Sequence, residues 1–438
     1  MNTVLSWGRY PSFPQEAHTI AWRDVASATW REVNEEWGTT LPFGNGRSYG
    51  DSCLASSDHV VQTLSLDRLI AADWERGILR AESGVTLEQI LSVAIPRGWM
   101  LPVTPGTKYA TLGGAIANDV HGKNHHVRGT FGQHVRRFAL ARSDGAQFEC
   151  SSDTNAKFFA ATIGGLGLTG LILWAEVQLM PIHSSMIDVT SIRFANIDEF
   201  FALSVALDPL HEYSVAWVDC RSLGAALGRG IFMAGNHATD GPLEFSQRRK
   251  LTMPFMLPFP FFNRYTVGIF NGLYYRKQHR GEVRAKVSCD AYFYPLDSLL
   301  EWNRIYGRAG FQQYQCVVPS ESAHDAIPAI LQAIAQSGTG SILAVLKRCG
   351  GLRSPGLLSF PLEGTSLALD FPQHDALNTQ LFARLDAIVR EAHGRIYPAK
   401  DAHMSGADFR AAYPQWQEVE ALRDPTLLSR FWERTTRS

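Results

Sequence analysis

Residues 111–132 read Thr-Leu-Gly-Gly-Ala-Ile-Ala-Asn-Asp-Val-His-Gly-Lys-Asn-His-His-Val-Arg-Gly-Thr-Phe-Gly, joining the pair Gly113–Gly114 to His121 and Lys123 in one short run. Paired glycines let backbone approach a large ligand without a Cβ in the way. Such an approach aims N–H groups at phosphate or ring oxygens, and His121 and Lys123 add donors beside them. Three more glycine-rich runs lie within the first 170 residues: Gly44-Asn45-Gly46-Arg47-Ser48-Tyr49-Gly50, Pro105-Gly106 and Gly164-Gly165-Leu166-Gly167-Leu168-Thr169-Gly170. Singly, each reads as turn chemistry; together they suggest one long ligand laid across several loops. Gly165–Gly170 spells G-x-G-x-x-G, but the dinucleotide fingerprint must open a helix, and Leu171–Val177 has the pattern of a strand. Gly46-Arg47-Ser48 lacks the G-K-[ST] ending of a P-loop. His121, His125 and His126 have one nearby carboxylate, Asp119, no cysteine and no H-E-x-x-H pattern, so no metal is expected.

These loops need elements to hold them. Val60–Leu64 and Gly77–Glu82 read as strands. Thr86 and Gln89 have the spacing of a capping box, opening a helix with Leu87, Ile90, Leu91 and Ala94 on one face. Phe138–Ala141 is strand-like and ends at the turn signal Ser143-Asp144-Gly145-Ala146. Residues 167–181 form a long apolar strand pattern closed by Pro181. From about 185 the glycine loops stop, and strand-like and helical runs mix as in a sheet covered by helices. Segment 251–275 is rich in aromatics, and Pro254, Pro258 and Pro260 exclude a regular helix through its first half. It reads either as a buried loop packed with aromatics or as a mobile apolar flap that meets lipid. Arg248, Arg249, Lys250, Arg276, Lys277 and Arg280 flank it and suit an anionic headgroup layer. Past about 395 the pattern returns to polar helices.

Composition narrows the class. The chain has 438 residues, is 45% hydrophobic and 19% charged, and carries a formal net charge of −1, which fits a globular protein of two or three domains. No basic stripe marks a nucleic-acid surface. Cys53, Cys150, Cys220, Cys289, Cys316 and Cys349 form no C-x-x-C, so buried free thiols are expected rather than a disulfide framework. The N-terminus has neither a basic n-region nor an apolar h-region, so no secretory signal is expected. No run of about 18 apolar residues occurs, so no spanning helix is expected.

The chain resembles the FAD-linked oxidoreductases of the vanillyl-alcohol-oxidase type, and within them the decaprenylphosphoryl-ribose oxidases. The matching residues are Gly46-Arg47-Ser48-Tyr49-Gly50-Asp51, Pro105-Gly106-Thr107, Gly113-Gly114-Ala115-Ile116, His121-Gly122-Lys123-Asn124-His125-His126, Phe131-Gly132-x-His134-Val135, Gly164-Gly165-x-Gly167-Leu168-Thr169-Gly170, Tyr294-Pro295-Leu296-Asp297, Gln313-Tyr314-Gln315, Leu358-Ser359-Phe360-Pro361, Asp370-Phe371-Pro372 and Tyr397-x-Ala399-Lys400-Asp401. The resemblance implies an α+β protein. A PCMH-type FAD-binding domain of two subdomains would span 1–184. A substrate (cap) domain with an antiparallel sheet flanked by helices would span 185–394, and a C-terminal segment, 395–438, would return to the FAD domain.

The resemblance also implies roles. FAD would be held, without a covalent bond, by Gly44, Asn45, Gly46, Arg47, Ser48, Tyr49, Gly50, Gly106, Thr111, Leu112, Gly113, Gly114, Asn118, His121, Ile172 and Tyr397. Lys400, His121 and Tyr49 would serve catalysis, with Lys400 as base or as stabilising cation. Lys123, Tyr294, Gln313, Gln315, Lys347, Asp370 and Lys400 would bind substrate, the lysines suiting a phosphate. The implied reaction oxidises the 2′-hydroxyl of a polyprenylphosphoryl-β-D-ribose, and a short-chain dehydrogenase-type reductase would complete epimerisation to the arabinose donor. A cytoplasmic location, peripheral at the inner face of the membrane through 251–275, would follow. Two positions depart from the mycobacterial pattern Asn-x-Cys-x-Asp-Phe-Pro: Ser366 stands for the asparagine and Ala368 for the cysteine attacked by nitro-aromatic inhibitors, so covalent inhibition should fail here. Two other readings compete: an FAD enzyme for a free sugar or alditol, and a non-enzymatic metal- or flavin-binding protein.

Overall fold

The computed structural model describes residues 3–245, 249–279 and 281–437. Three sheets organise them. The first has four strands: Thr3–Val4 runs antiparallel to Gln15–Thr19, which lies parallel to His59–Gln62, itself parallel to Pro42–Phe43. The second is antiparallel, in the order Leu69–Asp73, Ile78–Glu82, Leu171–Gln178, Val135–Ala141, Gln147–Ser151. The third, also antiparallel, has eight strands in the order Glu282–Ser288, Met186–Phe194, Gly230–His237, Tyr213–Val218, Ala344–Cys349, Gly364–Pro372, Phe311–Pro319, Arg395–Ile396. The fold is therefore α+β.

Local chemistry explains the elements that matter. The helix Leu87–Ala94 starts at Thr86, whose Oγ1 accepts from the Gln89 amide while the Gln89 side chain accepts from the Thr86 amide. Its buried face is Leu87, Ile90, Leu91 and Ala94, packed with Leu112, Ala115 and Ile116 in the core under the second sheet. The run after Gly170 is the strand Leu171–Gln178, so Gly165–Gly170 opens no helix. The turn after Ala141 joins two antiparallel strands and is closed by Asp144 accepting from the Ala146 amide.

The eight-stranded sheet has two different faces because side chains alternate along a strand. Ala216, Val218, Tyr314, Cys316, Leu346, Leu367, Leu369 and Phe371 pack against the helices Ile197–Leu207, Ser320–Gln336 and Asp375–Glu391 in one core. The intervening residues point the other way, into the cavity described below.

Two expectations change. Segment 251–275 is not a buried loop: after the short strand Leu251–Thr252, Asn263 caps a helix over Arg264–Lys277, and Leu251, Phe255, Phe259, Phe261, Tyr265, Ile269, Phe270 and Leu273 are exposed. Arg248 and Arg280, read as part of its basic flanks, lie outside the described residues. The C-terminal stretch is not uniformly polar either, because the helix Arg430–Thr436 buries Phe431 and Trp432. That stretch bridges back to the N-terminal region at Thr40–Leu427 and Ala55–Ser429. Among the described residues, all six cysteines are free and no helix is long and apolar enough to cross a membrane.

Candidate active site

A cavity of about 810 Å³ lies between the glycine loops and the face of the eight-stranded sheet opposite the helices Ile197–Leu207, Ser320–Gln336 and Asp375–Glu391. Strand alternation supplies its floor. Gln313 and Gln315 come from one strand, Ser366, Ala368 and Asp370 from the next, Val345 and Lys347 from the third, Val215 and Trp217 from the fourth. The register sets Gln313 opposite Asp370, Gln315 opposite Ala368 and Lys347 opposite Ser366. The roof is built by Gly44–Tyr49, Thr104–Thr107, Thr111, Gly113–Gly114, Asn118, Val120–Lys123 and Gly170–Ile172, with Tyr397 and Lys400 at one side.

Three lysines enter this space. Lys400 Nζ sits 3.7 Å from the centre of the Tyr49 ring, a cation–π distance. Burial lowers its pKa to about 7, opposed by nearby Asp370. Burial raises Asp370 to about 7; its Oδ1 accepts from the Gln313 amide at 2.6 Å, while its Oδ2 is buried without a hydrogen-bond partner. Lys123 lies over the Tyr292 ring at 4.3 Å and donates to the Tyr292 carbonyl. Burial, helped by the charge of Lys347, brings Lys123 to about 7, and burial brings Lys347 to about 8. Lys347 donates to His121 Nδ1 and, at 2.7 Å, to the Gly122 carbonyl. His121 Nε2 meets the Gln315 amide at 3.1 Å. Burial and then Lys347 hold His121 well below the usual histidine range, so its ring is neutral at neutral pH. Both ring nitrogens are thus engaged, Nδ1 by the Lys347 amine and Nε2 by the Gln315 side-chain nitrogen. The Phe360 and Tyr397 rings each lie 5.6 Å from the His121 ring.

Most residues singled out in the sequence meet at this cavity, but three do not. Gly50 lies behind it: a Cβ there would fall 1.6 Å from the Asp401 carbonyl oxygen, so glycine is required by backbone packing. Leu112 is a core side chain. Tyr294 is buried, with its hydroxyl 2.6 Å from Thr104 Oγ1, and does not line the space. Trp7, Ser83 and Trp217 do line it and were not named in the sequence; Cys53 and Asp297 line it too but were given no role there. For Trp217 and Val345 the available signal was position-by-position alternation, blurred because the opposite face of each strand is apolar too.

A profile of the FAD binding domain family matches residues 22–151. Decaprenylphosphoryl-β-D-ribose oxidase of Mycolicibacterium smegmatis is 35% identical over 441 residues, covering 96% of this chain and 94% of that one. The chain belongs to the decaprenylphosphoryl-ribose oxidase family. An uncharacterised Streptomyces coelicolor protein is 32% identical over 78% of this chain and 96% of its own length. L-gulonolactone oxidase of Mus musculus is 28% identical over 32% of this chain and 31% of its own. The family makes this protein an FAD-dependent oxidoreductase acting on CH–OH groups, built on a PCMH-type FAD-binding domain.

The cavity fits that cofactor on its own terms. Its volume lies in the usual range for ligand sites, about 300–1,000 Å³. The loops that roof it are pressed together: a Cβ on Gly44 would come 2.5 Å from Thr111 Oγ1, and one on Gly113 would come 2.9 Å from the Ser83 Cβ. Arg47 Nε, Ser52 Oγ and Ser83 Oγ are buried without hydrogen-bond partners, and all three residues line the cavity. Buried polar groups normally have partners, so a ligand with several donors and acceptors is the natural complement.

Proposed function

We propose that the protein oxidises the 2′-hydroxyl of a polyprenylphosphoryl-β-D-ribose to the 2′-keto sugar, with a short-chain dehydrogenase-type reductase completing epimerisation to the arabinose donor of a cell-envelope arabinan. One observation carries this reading. The cavity joins Lys123 and Lys347, neither of which has a carboxylate among the groups acting on it, to an apolar side lined by Trp217, Phe270 and Tyr274. Two lysines without counter-charge suit a phosphate, and the apolar side suits a lipid tail. Phe270 and Tyr274 belong to the helix whose outer residues, Tyr265, Ile269 and Leu273, are exposed. The apolar path out of the cavity therefore continues onto the surface. On this reading the 251–275 surface rests on the inner face of the membrane.

FAD, when bound, supplies the two-electron acceptor. In our assignment it lies along Gly44–Tyr49, Gly106, Thr111, Gly113–Gly114, Asn118, His121, Ile172 and Tyr397, within a domain made of 1–184 and 395–438. Residues 185–394 form the substrate domain. In our assignment His121 carries no covalent flavin, a reading supported by the engagement of both ring nitrogens, Nδ1 by Lys347 and Nε2 by Gln315. Lys400 takes the 2′-hydroxyl proton on Nζ. It reaches the neutral form at physiological pH because burial has lowered its pKa, and a base working near its own pKa is the effective one. Tyr49 fixes the ammonium once formed. Gln313 and Asp370 line the same side and orient the ribose hydroxyls.

The test is product analysis with a short-chain prenylphosphoryl ribose and an artificial electron acceptor, followed by borodeuteride reduction. Deuterium at C2′ in a mixture of ribo and arabino sugars is expected. Label at another carbon, or turnover of free ribose and alditols alone, contradicts the assignment.

A further inference from the structure

Lys400 and Tyr49 meet because two backbone segments are drawn together, and a side chain near the far end of the chain lies across that junction. The Tyr49 amide donates to the Ala399 carbonyl at 3.0 Å and the Asp51 amide to the Asp401 carbonyl at 3.4 Å. Gly50 lies between them in backbone contact with Asp401. The carboxylates of Asp51 and Asp401 are 5% and 0% exposed, and each bears on the other's side of the junction. Desolvation raises Asp51, and the charge of Asp401 adds to that rise. Two adjacent buried carboxylates repel unless a cation sits between them.

Arg434 is that cation. Its Nε and Nη2 donate to the two oxygens of Asp51 at 3.0 and 2.9 Å, in the planar fork that arginine alone provides. Nη2 also donates to Asp401 Oδ2 at 2.9 Å, and Nη1 donates to the Met404 carbonyl. Asp401 is tied on its other side to the Met404 amide at 2.9 Å and faces His403 Nδ1 at 3.2 Å. His403 in turn faces Asp386 at 3.3 Å, which accepts from the Tyr314 hydroxyl at 3.0 Å. Arg434 sits on the helix Arg430–Thr436, fixed by the Ser429 cap and by buried Phe431 and Trp432.

We propose that Arg434 is a positioning residue for the oxidation: by bridging Asp51 and Asp401 it locks the turn carrying Lys400 against the loop carrying Tyr49, and so sets where Lys400 Nζ stands in the cavity. This rests on Lys400 being the working base. The groups facing Lys400 directly are Tyr49, Asp370, Cys53 and the neutral His121 ring. Arg434 acts on it through the backbone and through the field of the two carboxylates.

The experiment compares FAD-loaded wild type with Arg434→Gln, Arg434→Lys, Asp51→Asn and Lys400→Met, following flavin reduction by a short-chain prenylphosphoryl ribose under anaerobic conditions, per bound flavin, across pH. Misplacing a reacting group by about 1 Å costs roughly 100-fold, so Arg434→Gln should lower the limiting rate about 10- to 100-fold while half-saturation changes little. It should also move the midpoint of the pH–rate curve upward, because uncompensated carboxylates favour the ammonium form of Lys400. Arg434→Lys should restore the midpoint more fully than the rate. If Arg434→Gln does not fold, Arg434→Lys and Asp51→Asn carry the same comparison. Variants that lose only melting temperature or FAD content, with rate and pH midpoint per bound flavin unchanged, overturn the inference. If Lys400→Met itself reduces at the wild-type rate, the assignment of Lys400 fails and this inference with it. A slow Lys400→Met beside a wild-type Arg434→Gln overturns this inference alone.

Discussion

Replacing Phe255, Phe259 and Phe261 together by serine should detach the protein from membranes without harming its chemistry. These rings are 61%, 72% and 58% exposed. Fully burying a phenylalanine side chain is worth about 1.5–3 kcal/mol, so each ring has about 1–2 kcal/mol still to gain from an acyl layer. Together that is about 3–6 kcal/mol at full insertion, and about 2 kcal/mol if the rings reach only the headgroup boundary. At ~1.4 kcal/mol per tenfold, the smaller figure is a loss of roughly 30-fold in partitioning. Arg249, Arg264, Arg276 and Lys277 contribute about 1 kcal/mol each near an anionic surface, an effect that salt removes. Lys250 contributes less because it is paired with Glu88 at 2.8 Å. The assay is co-sedimentation of FAD-loaded protein with phosphatidylglycerol or phosphatidylcholine vesicles at low and high salt. The variant should keep weak binding to anionic vesicles at low salt and lose it at high salt. Its flavin reduction by a soluble short-chain substrate should match wild type, since none of the three rings lines the cavity. Equal partitioning of variant and wild type refutes the reasoning.

Three further outcomes follow from the same geometry. Lys400→Met should keep FAD yet slow flavin reduction about 10²–10⁴-fold, the usual contribution of a placed base, as stopped-flow absorbance would show. The wild-type rate should rise with pH through about 7 as the lowered Lys400 pKa is passed, and that rise should be absent in Lys400→Met. Lys123 and Lys347, lowered to about 7 and about 8, are partly neutral at pH 8. A bound phosphate raises both, so binding of a prenyl phosphate at pH 8 should take up protons. Calorimetry in buffers of different ionisation enthalpy reads this, and uptake should vanish in the Lys123→Met, Lys347→Met double variant.

How much could be read in the sequence depended on how local the cause was. The Thr86 cap and the Leu87–Ala94 face are set within nine residues, and both formed as read. The glycine loops were recognisable because paired glycines have few other uses, and their convergence follows. Gly50 lies outside the cavity lining, and its packing against the Asp401 backbone, distant in sequence, left no local signal. Leu112 and Tyr294 sit inside informative motifs but face the core. Trp217 and Val345 reach the cavity through strand register, which one strand alone does not reveal. The exposed face of 251–275 was open in the sequence because aromatic content does not say which side is covered. The Asp51–Arg434–Asp401 bridge joins positions up to 383 apart, a spacing that no motif encodes.

The most direct test mixes the purified, FAD-loaded protein anaerobically with a short-chain prenylphosphoryl ribose and follows the visible flavin band. Bleaching by this compound, but not by free ribose or alditols, is the predicted result. A yellow protein that bleaches only with a free polyol, or a colourless one that takes up no FAD, would contradict the account.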